Sequence, residues 1–250
     1  MTDTRTILLH SRNGTVRALK GTIERLRPAS ERHLAFIHIG KCGGETVNTV
    51  LKESRVVAER FNRVSRTHVA RPVYKPANRY LFVVRNPISR AISAFNWRYR
   101  LVITSRTSDR RFPGEREVLA RYQTLDALAL ALYDGDRLRA DVARDVRKIH
   151  HLREDIAFYL GHAFDVITSE QIFAVLCQEF LDADIKTYLG ISGVERVHDN
   201  RSATSKPHTE LTDRARANLA RFLARDYACL EQLLSLFPIA AERRETLLRK

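Results

Sequence analysis

The chain has 250 residues, 44% of them hydrophobic and 29% charged, which suits one α/β domain with a real core, or two very small ones, and excludes a disordered composition. The three cysteines, Cys42, Cys177 and Cys229, are too few and too dispersed for a disulfide framework or a zinc site, and they suit a reducing compartment. The net charge of +14 favours anionic partners without choosing among nucleotides, nucleic acid, acidic glycans and a membrane surface.

No apolar run approaches the roughly 20 residues of a membrane helix, and the apolar stretch near the N-terminus is too short for a secretory signal. The expectation is a soluble, cytoplasmic protein, with peripheral membrane contact left open. Residues 1–33 read as a polar, basic extension in which 15–26 can form a short amphipathic helix, and residues 34–250 read as a single domain.

Leu34–Ile39 (LAFIHI) is a short apolar run ending at glycine, the pattern of a buried strand. GKCGGE follows, and then a helix from Thr46. A strand, a glycine-rich loop and a helix in that order make a cradle of backbone N–H groups for a phosphate or sulfate. Tyr80–Val84 (YLFVV) is a second buried strand. Asn86 can cap the next helix with Pro87 in its first turn, and Ile88, Ala91, Ile92, Phe95, Tyr99 and Val102 recur at helical spacing. Ser89, Ser93, Asn96 and Arg100 lie on another face. Arg85 falls at the carboxyl end of a strand, where open α/β sheets bind ligands.

Farther along, 104–116 reads as a charged loop, 125–133 and 142–152 as helices, 164–168 as a third strand and 170–181 as a helix. Residues 192–210 read as a loop, and everything from Thr212 as one long amphipathic C-terminal helix. Strands separated by helices predict a three-layer α/β/α fold around a mostly parallel sheet.

The loop is not a standard nucleotide-kinase loop, because GxxxxGK[ST] is absent and Lys41 precedes the Gly-Gly pair. His38-Ile39-Gly40-Lys41-Cys42-Gly43-Gly44-Glu45-Thr46 instead resembles the 5′-phosphosulfate loop of sulfotransferases that use 3′-phosphoadenosine 5′-phosphosulfate (PAPS). Arg85, Pro87, Arg90 and Ser93 resemble that family's RxPxxRxxS segment, which holds the 3′-phosphate. The likeness is nearest to the membrane-type and bacterial carbohydrate sulfotransferases.

The resemblance implies a P-loop-like fold and a PAPS site made of Lys41, Cys42, Gly43, Gly44, Glu45, Thr46, Arg85 and Ser93. It further implies that Lys41 neutralises the bridging oxygen as the sulfuryl group leaves, that the acceptor is a hydroxyl of a glycan or glycolipid, and that no metal is required. His68, which lies between the two donor motifs, resembles the histidine that follows the second strand and serves as general base in several carbohydrate sulfotransferases, with Glu45 as the alternative base. Arg201 and Lys206 match a late basic loop that closes over the nucleotide, and Glu170 matches a glutamate common in the family.

Gly40 and Glu45 depart from the family pattern, which has Pro and often Thr there. Glu45 is expected to face solvent or to pair with an arginine. Cys42 stands at a Thr position as a small loop residue, not a nucleophile. His38 is expected to be structural, and the remaining histidines, among them His150 and His151, show no metal-ligand spacing. Two other functions fit the composition: a kinase-like phosphotransferase, and a basic nucleic-acid-binding protein.

Overall fold

The computed structural model describes residues 32–106, 112–194 and 210–250. Four parallel strands form the central sheet: β1 (His33–His38), β2 (Arg63–Thr67), β3 (Arg79–Val84) and β6 (Ile172–Cys177), in the order β2-β1-β3-β6. A two-residue antiparallel pair, β4 (Tyr133–Asp134) and β5 (Arg137–Leu138), lies outside it. β1 pairs Phe36 with Arg66 on one side and with Leu81 on the other. β3 pairs Phe82 with Val175 of β6. The three strands β1, β3 and β6 are buried along nearly their whole length, and their continuous apolar runs are what a sheet covered on both faces requires. Edge strand β2 (RVSRT) alternates between half-buried and exposed positions, so its pattern is weaker.

The helices flank this sheet: α1 (Gly44–Val50), α2 (Arg55–Arg60), α3 (Pro87–Tyr99), α4 (Glu115–Tyr122), α5 (Leu125–Ala131), α6 (Ala140–Val146), α7 (His150–Arg153), α8 (Ile156–Leu160), α9 (Leu181–Asp184), α10 (Asp213–Phe222), α11 (Ala224–Leu236) and α12 (Ala241–Leu248). The buried apolar residues form two clusters. One surrounds the sheet and takes in α8 and α11, and the other is wholly helical, built from α3, α4, α5, α6 and α10. Helix α3 starts as its sequence predicts. The Asn86 side chain accepts the Ser89 N–H at 3.0 Å, with Pro87 in the first turn. The same Asn86 amide donates to the carbonyls of Thr246, Leu247 and Arg249, tying the C-terminus of the chain to the start of α3.

Several sequence expectations need correction. The third strand is 172–177, not 164–168, and the residues read as a helix over 170–181 include that strand. IFAVLC is a fully buried run too short to declare its period, and short apolar runs are ambiguous between strand and helix. The single long C-terminal helix is divided at Leu223 (φ −87°, ψ 14°), and a third helix follows from Ala241. Residues 142–152 are likewise two helices, α6 and α7. Glu115, assigned to a loop, begins α4 and is 1% exposed. It takes a two-bond grip on buried Arg98 at 2.8 and 2.7 Å, which satisfies both charges.

No helix among the described residues is long and apolar enough to cross a membrane.

Candidate functional site

Because the four strands are parallel, everything that follows them emerges at one edge of the sheet. The Gly40–Thr46 loop leaves β1, His68 leaves β2, Arg85 leaves β3 and Glu179 follows β6. β1 and β3 are neighbours, so the lysine-bearing loop and the arginine segment adjoin.

The loop is shaped by its own glycines and by α3. Lys41 has φ 70° and Gly43 φ 83°, left-handed backbone that glycine adopts freely and lysine at a cost. A Cβ on Gly44 would meet the His38 ring at 2.0 Å, so only glycine lets the ring lie there. From behind, Arg90 fixes the turn. It is 1% exposed, and its Nε donates to the Gly40 carbonyl at 2.9 Å while Nη2 donates to the carbonyls of His151 (2.9 Å) and Glu154. Arg85 Nη1 donates to the Lys41 carbonyl at 3.3 Å, and its Nε is buried without a hydrogen-bond partner.

The Lys41 ammonium rests 4.6 Å from the centre of the Trp97 ring, and the Arg100 guanidinium lies 4.5 Å from the same ring. Trp97 is four residues beyond Ser93, on the same side of α3. The lysine therefore reaches across to the face that carries the serine. Burial, with Arg85, Arg100 and Arg90 nearby, pulls the Lys41 pKa down to about 8. Burial also lowers the Arg85 pKa. Cations pressed together and desolvated are the preparation of an anion site.

Other loop residues point elsewhere. Cys42 is fully buried, its N–H turns back to the Ile39 carbonyl at 3.3 Å, and burial pushes its thiol up to about 12. That suits an inert filler and not a nucleophile. Glu45 is exposed and bound to Arg66 through both carboxylate oxygens, at 3.3 and 3.1 Å, which gives its charge a cationic partner. Thr46 is buried in the first turn of α1. Ser93 is half-buried.

His68 Nδ1 lies 3.2 Å from the His38 carbonyl. A carbonyl only accepts, so Nδ1 carries a proton, and in the neutral ring Nε2 holds the lone pair. The Tyr159 hydroxyl donates to the His68 carbonyl, and the His38 and His68 rings stack with centroids 3.9 Å apart. The imidazole is thus held in place through Nδ1, which leaves Nε2 as its other ring nitrogen.

Glu170 lies at the opposite edge of the sheet. There it lines a cavity of about 870 Å³ together with His33, Arg60, Asn78, Arg79 and Phe173. Its carbonyl takes the Arg79 guanidinium, so the structure brings it nowhere near Lys41. Arg201 and Lys206, like residues 1–31, lie outside the described residues.

Sequence reasoning missed Trp97, the partner of Lys41, and the structural role of Arg90. It also missed two groups of possible metal ligands: His38, Glu45 and His68, and His150, His151 and Glu154. The first group is assembled across the ends of two strands, so no local spacing announces it. Compared with known proteins, the chain matches no family model, no curated protein and no solved structure.

Proposed function

We propose that this chain is a sulfotransferase that moves a sulfuryl group from PAPS to an acceptor hydroxyl, on a glycan or glycolipid, in one in-line step. The sheet is then read as the core of a P-loop-like three-layer α/β/α fold. The observation that carries the reading is the crowding of Lys41, Arg85 and Arg100 where β1 and β3 end, with Arg85 on the Lys41 carbonyl and Lys41 on Trp97. A donor with a 5′-phosphosulfate and a 3′-phosphate needs two cationic grips at neighbouring positions. The glycine-rich loop supplies one and the Arg85–Ser93 segment the other.

In this reading the loop from Lys41 to Thr46 holds the 5′ end, with Gly43 and Gly44 allowing close approach of the backbone. Arg85 and Ser93 hold the 3′-phosphate. The acceptor oxygen attacks sulfur, the bond from sulfur to the bridging oxygen breaks, and adenosine 3′,5′-bisphosphate leaves. Lys41 stabilises charge on the bridging oxygen, and His68 Nε2 takes the acceptor proton. Positioning and charge stabilisation supply the rate, as in phosphoryl transfer.

The test is transfer from radiolabelled PAPS to a panel of glycans, glycolipids and small alcohols, alongside nucleotide titrations. Magnesium-independent binding of adenosine 3′,5′-bisphosphate together with labelled product supports the proposal. Preference for ATP with phosphate transfer would replace it with a phosphotransferase. Salt-sensitive duplex binding without nucleotide preference would replace it with a nucleic-acid binder.

A further inference from the structure

At the edge of the sheet away from Lys41, the strands begin instead of ending. Arg32 precedes β1, Arg79 opens β3, and Leu34 of β1 is the register partner of Arg79. Arg60 closes α2 just before β2, and Glu170 and Gln171 lead into β6. The topology therefore gathers Arg32, Arg60 and Arg79 on the wall of the cavity of about 870 Å³. β1 is 6 residues long, so about 20 Å of strand separates this edge from the Gly40–Thr46 loop.

Among the described residues none of the three guanidiniums meets a carboxylate. Glu170 is the one acid that those residues place on the wall, and it is its backbone carbonyl that takes Arg79. Arg60 lies over the Phe173 ring, 5.8 Å from its centre, and Phe61 meets the same ring edge-on at 5.2 Å. Stacking holds a guanidinium by its face and leaves its in-plane N–H donors for an acceptor. Like charges gathered around one hollow repel one another until an anion joins them.

The wall behind them is preformed. The His33 ring spans from Ser65 Oγ at 2.7 Å to Asn78 Oδ1 at 3.1 Å, and Gln171 Nε2 donates to the Pro76 carbonyl. The Tyr80 hydroxyl accepts the Lys75 N–H and donates to the Lys75 carbonyl. Residues 75–79 are thereby fixed against the sheet, and a ligand need not order them.

The volume falls within the range of about 300–1,000 Å³ for small-molecule pockets. It far exceeds a bare inorganic anion, since one water takes about 30 Å³. The rest of the wall divides between polar Asn78 and Thr168 and apolar Phe61, Ile172 and Phe173. A sugar ring, with hydroxyl edges and C–H faces, matches both kinds of surface.

We propose that this cavity is a second ligand site, for a sugar bearing a sulfate or phosphate group, whose anion is gripped by Arg32, Arg60 and Arg79. The site stands apart from the sulfotransferase reading, because Lys41 and its loop take no part in it.

The experiment titrates the full chain by calorimetry with glucose 6-sulfate and glucose 6-phosphate at physiological ionic strength, with glucose and inorganic sulfate as controls. The expected result is saturable binding of one sugar anion per chain, about tenfold or more tighter than either control. Arg60→Gln and Arg79→Gln each weaken it by about tenfold or more, while Lys41→Ala leaves it unchanged, all four proteins melting as folded. Either sugar anion binding in this way supports the site, and preference between them identifies the anion. No saturable binding, binding indifferent to both arginine variants, or binding lost only in Lys41→Ala would overturn the site. Inorganic sulfate binding as tightly as the sugar anions would overturn the sugar assignment. A chain that binds the sugar anion as described and never transfers sulfate would sink the sulfotransferase reading and support the site.

Discussion

Replacing Arg90 with Met keeps the length and apolar stem of the side chain and deletes its guanidinium. Three buried or part-buried carbonyls lose a charged donor: Gly40, His151 and Glu154. Hydrogen bonds to a charged group contribute about 1.5–3 kcal/mol each, and removing the buried charge itself recovers several kcal/mol of desolvation. Against that recovery, Asp226 and Asp155 lose a neighbouring cation. Burial already raises the pKa of both carboxyls, and Arg90 opposes the rise. The net loss expected is about 3–5 kcal/mol, the range seen when a buried polar network loses one member. At about 2–4 °C per kcal/mol for a chain of this size, the melting temperature falls by roughly 6–20 °C. Thermal melting followed by circular dichroism measures it, with Arg90→Lys as an intermediate case that keeps the charge and fewer bonds. A variant melting within about 2 °C of the parent would refute the reasoning that Arg90 props the loop from beneath.

Lys41→Ala is expected to lower turnover by about 10²–10³-fold, as loss of one preorganised charge stabiliser does, measured with saturating PAPS. With the Lys41 pKa at about 8, its ammonium is charged below that pH and lost above it. Affinity for adenosine 3′,5′-bisphosphate therefore holds up to about pH 8 and falls beyond it, and calorimetry in buffers of different ionisation enthalpy detects proton uptake on binding near that pH. In the free protein the sign is opposite. The unfolded lysine binds its proton more tightly, so the Lys41 contribution to stability rises as pH climbs from about 8 toward about 10.5. His68→Ala is expected to lower kcat by about 10²–10⁴-fold with nucleotide affinity unchanged, and unchanged turnover would remove His68 from the base role.

How much of this was readable in the sequence depended on burial. β1 and β3 declared themselves because Leu34–Ile37 and Tyr80–Val84 are unbroken apolar runs, and Asn86-Pro87 announced α3 through capping chemistry that acts locally. β6 escaped because six apolar residues carry no period, and β2 because an edge strand of arginine, serine and threonine reads as loop. The break at Leu223 leaves no glycine or proline behind. At the site, the glycine-rich loop and Arg85 were visible as residue types following strands. The expectation that Glu45 meets an arginine holds, with Arg66 as the partner. Arg90 escaped as a structural residue because a fully buried arginine is chosen by distant carbonyls, not by neighbours in sequence. Trp97 and the His38–His68 pair escaped for the same reason: their partners come from other elements.

If two segments grip different ends of one nucleotide, matched titrations separate their contributions. The parent chain, Arg85→Ala and Lys41→Ala are titrated with adenosine 3′,5′-bisphosphate, with adenosine 5′-phosphate and with adenosine 3′-phosphate. The account predicts that Arg85→Ala weakens ligands bearing the 3′-phosphate by roughly 10- to 150-fold and leaves the 5′-phosphate nucleotide unchanged, while Lys41→Ala weakens those bearing the 5′-phosphate. Equal losses for all three ligands in both variants, or no loss in either, would contradict it.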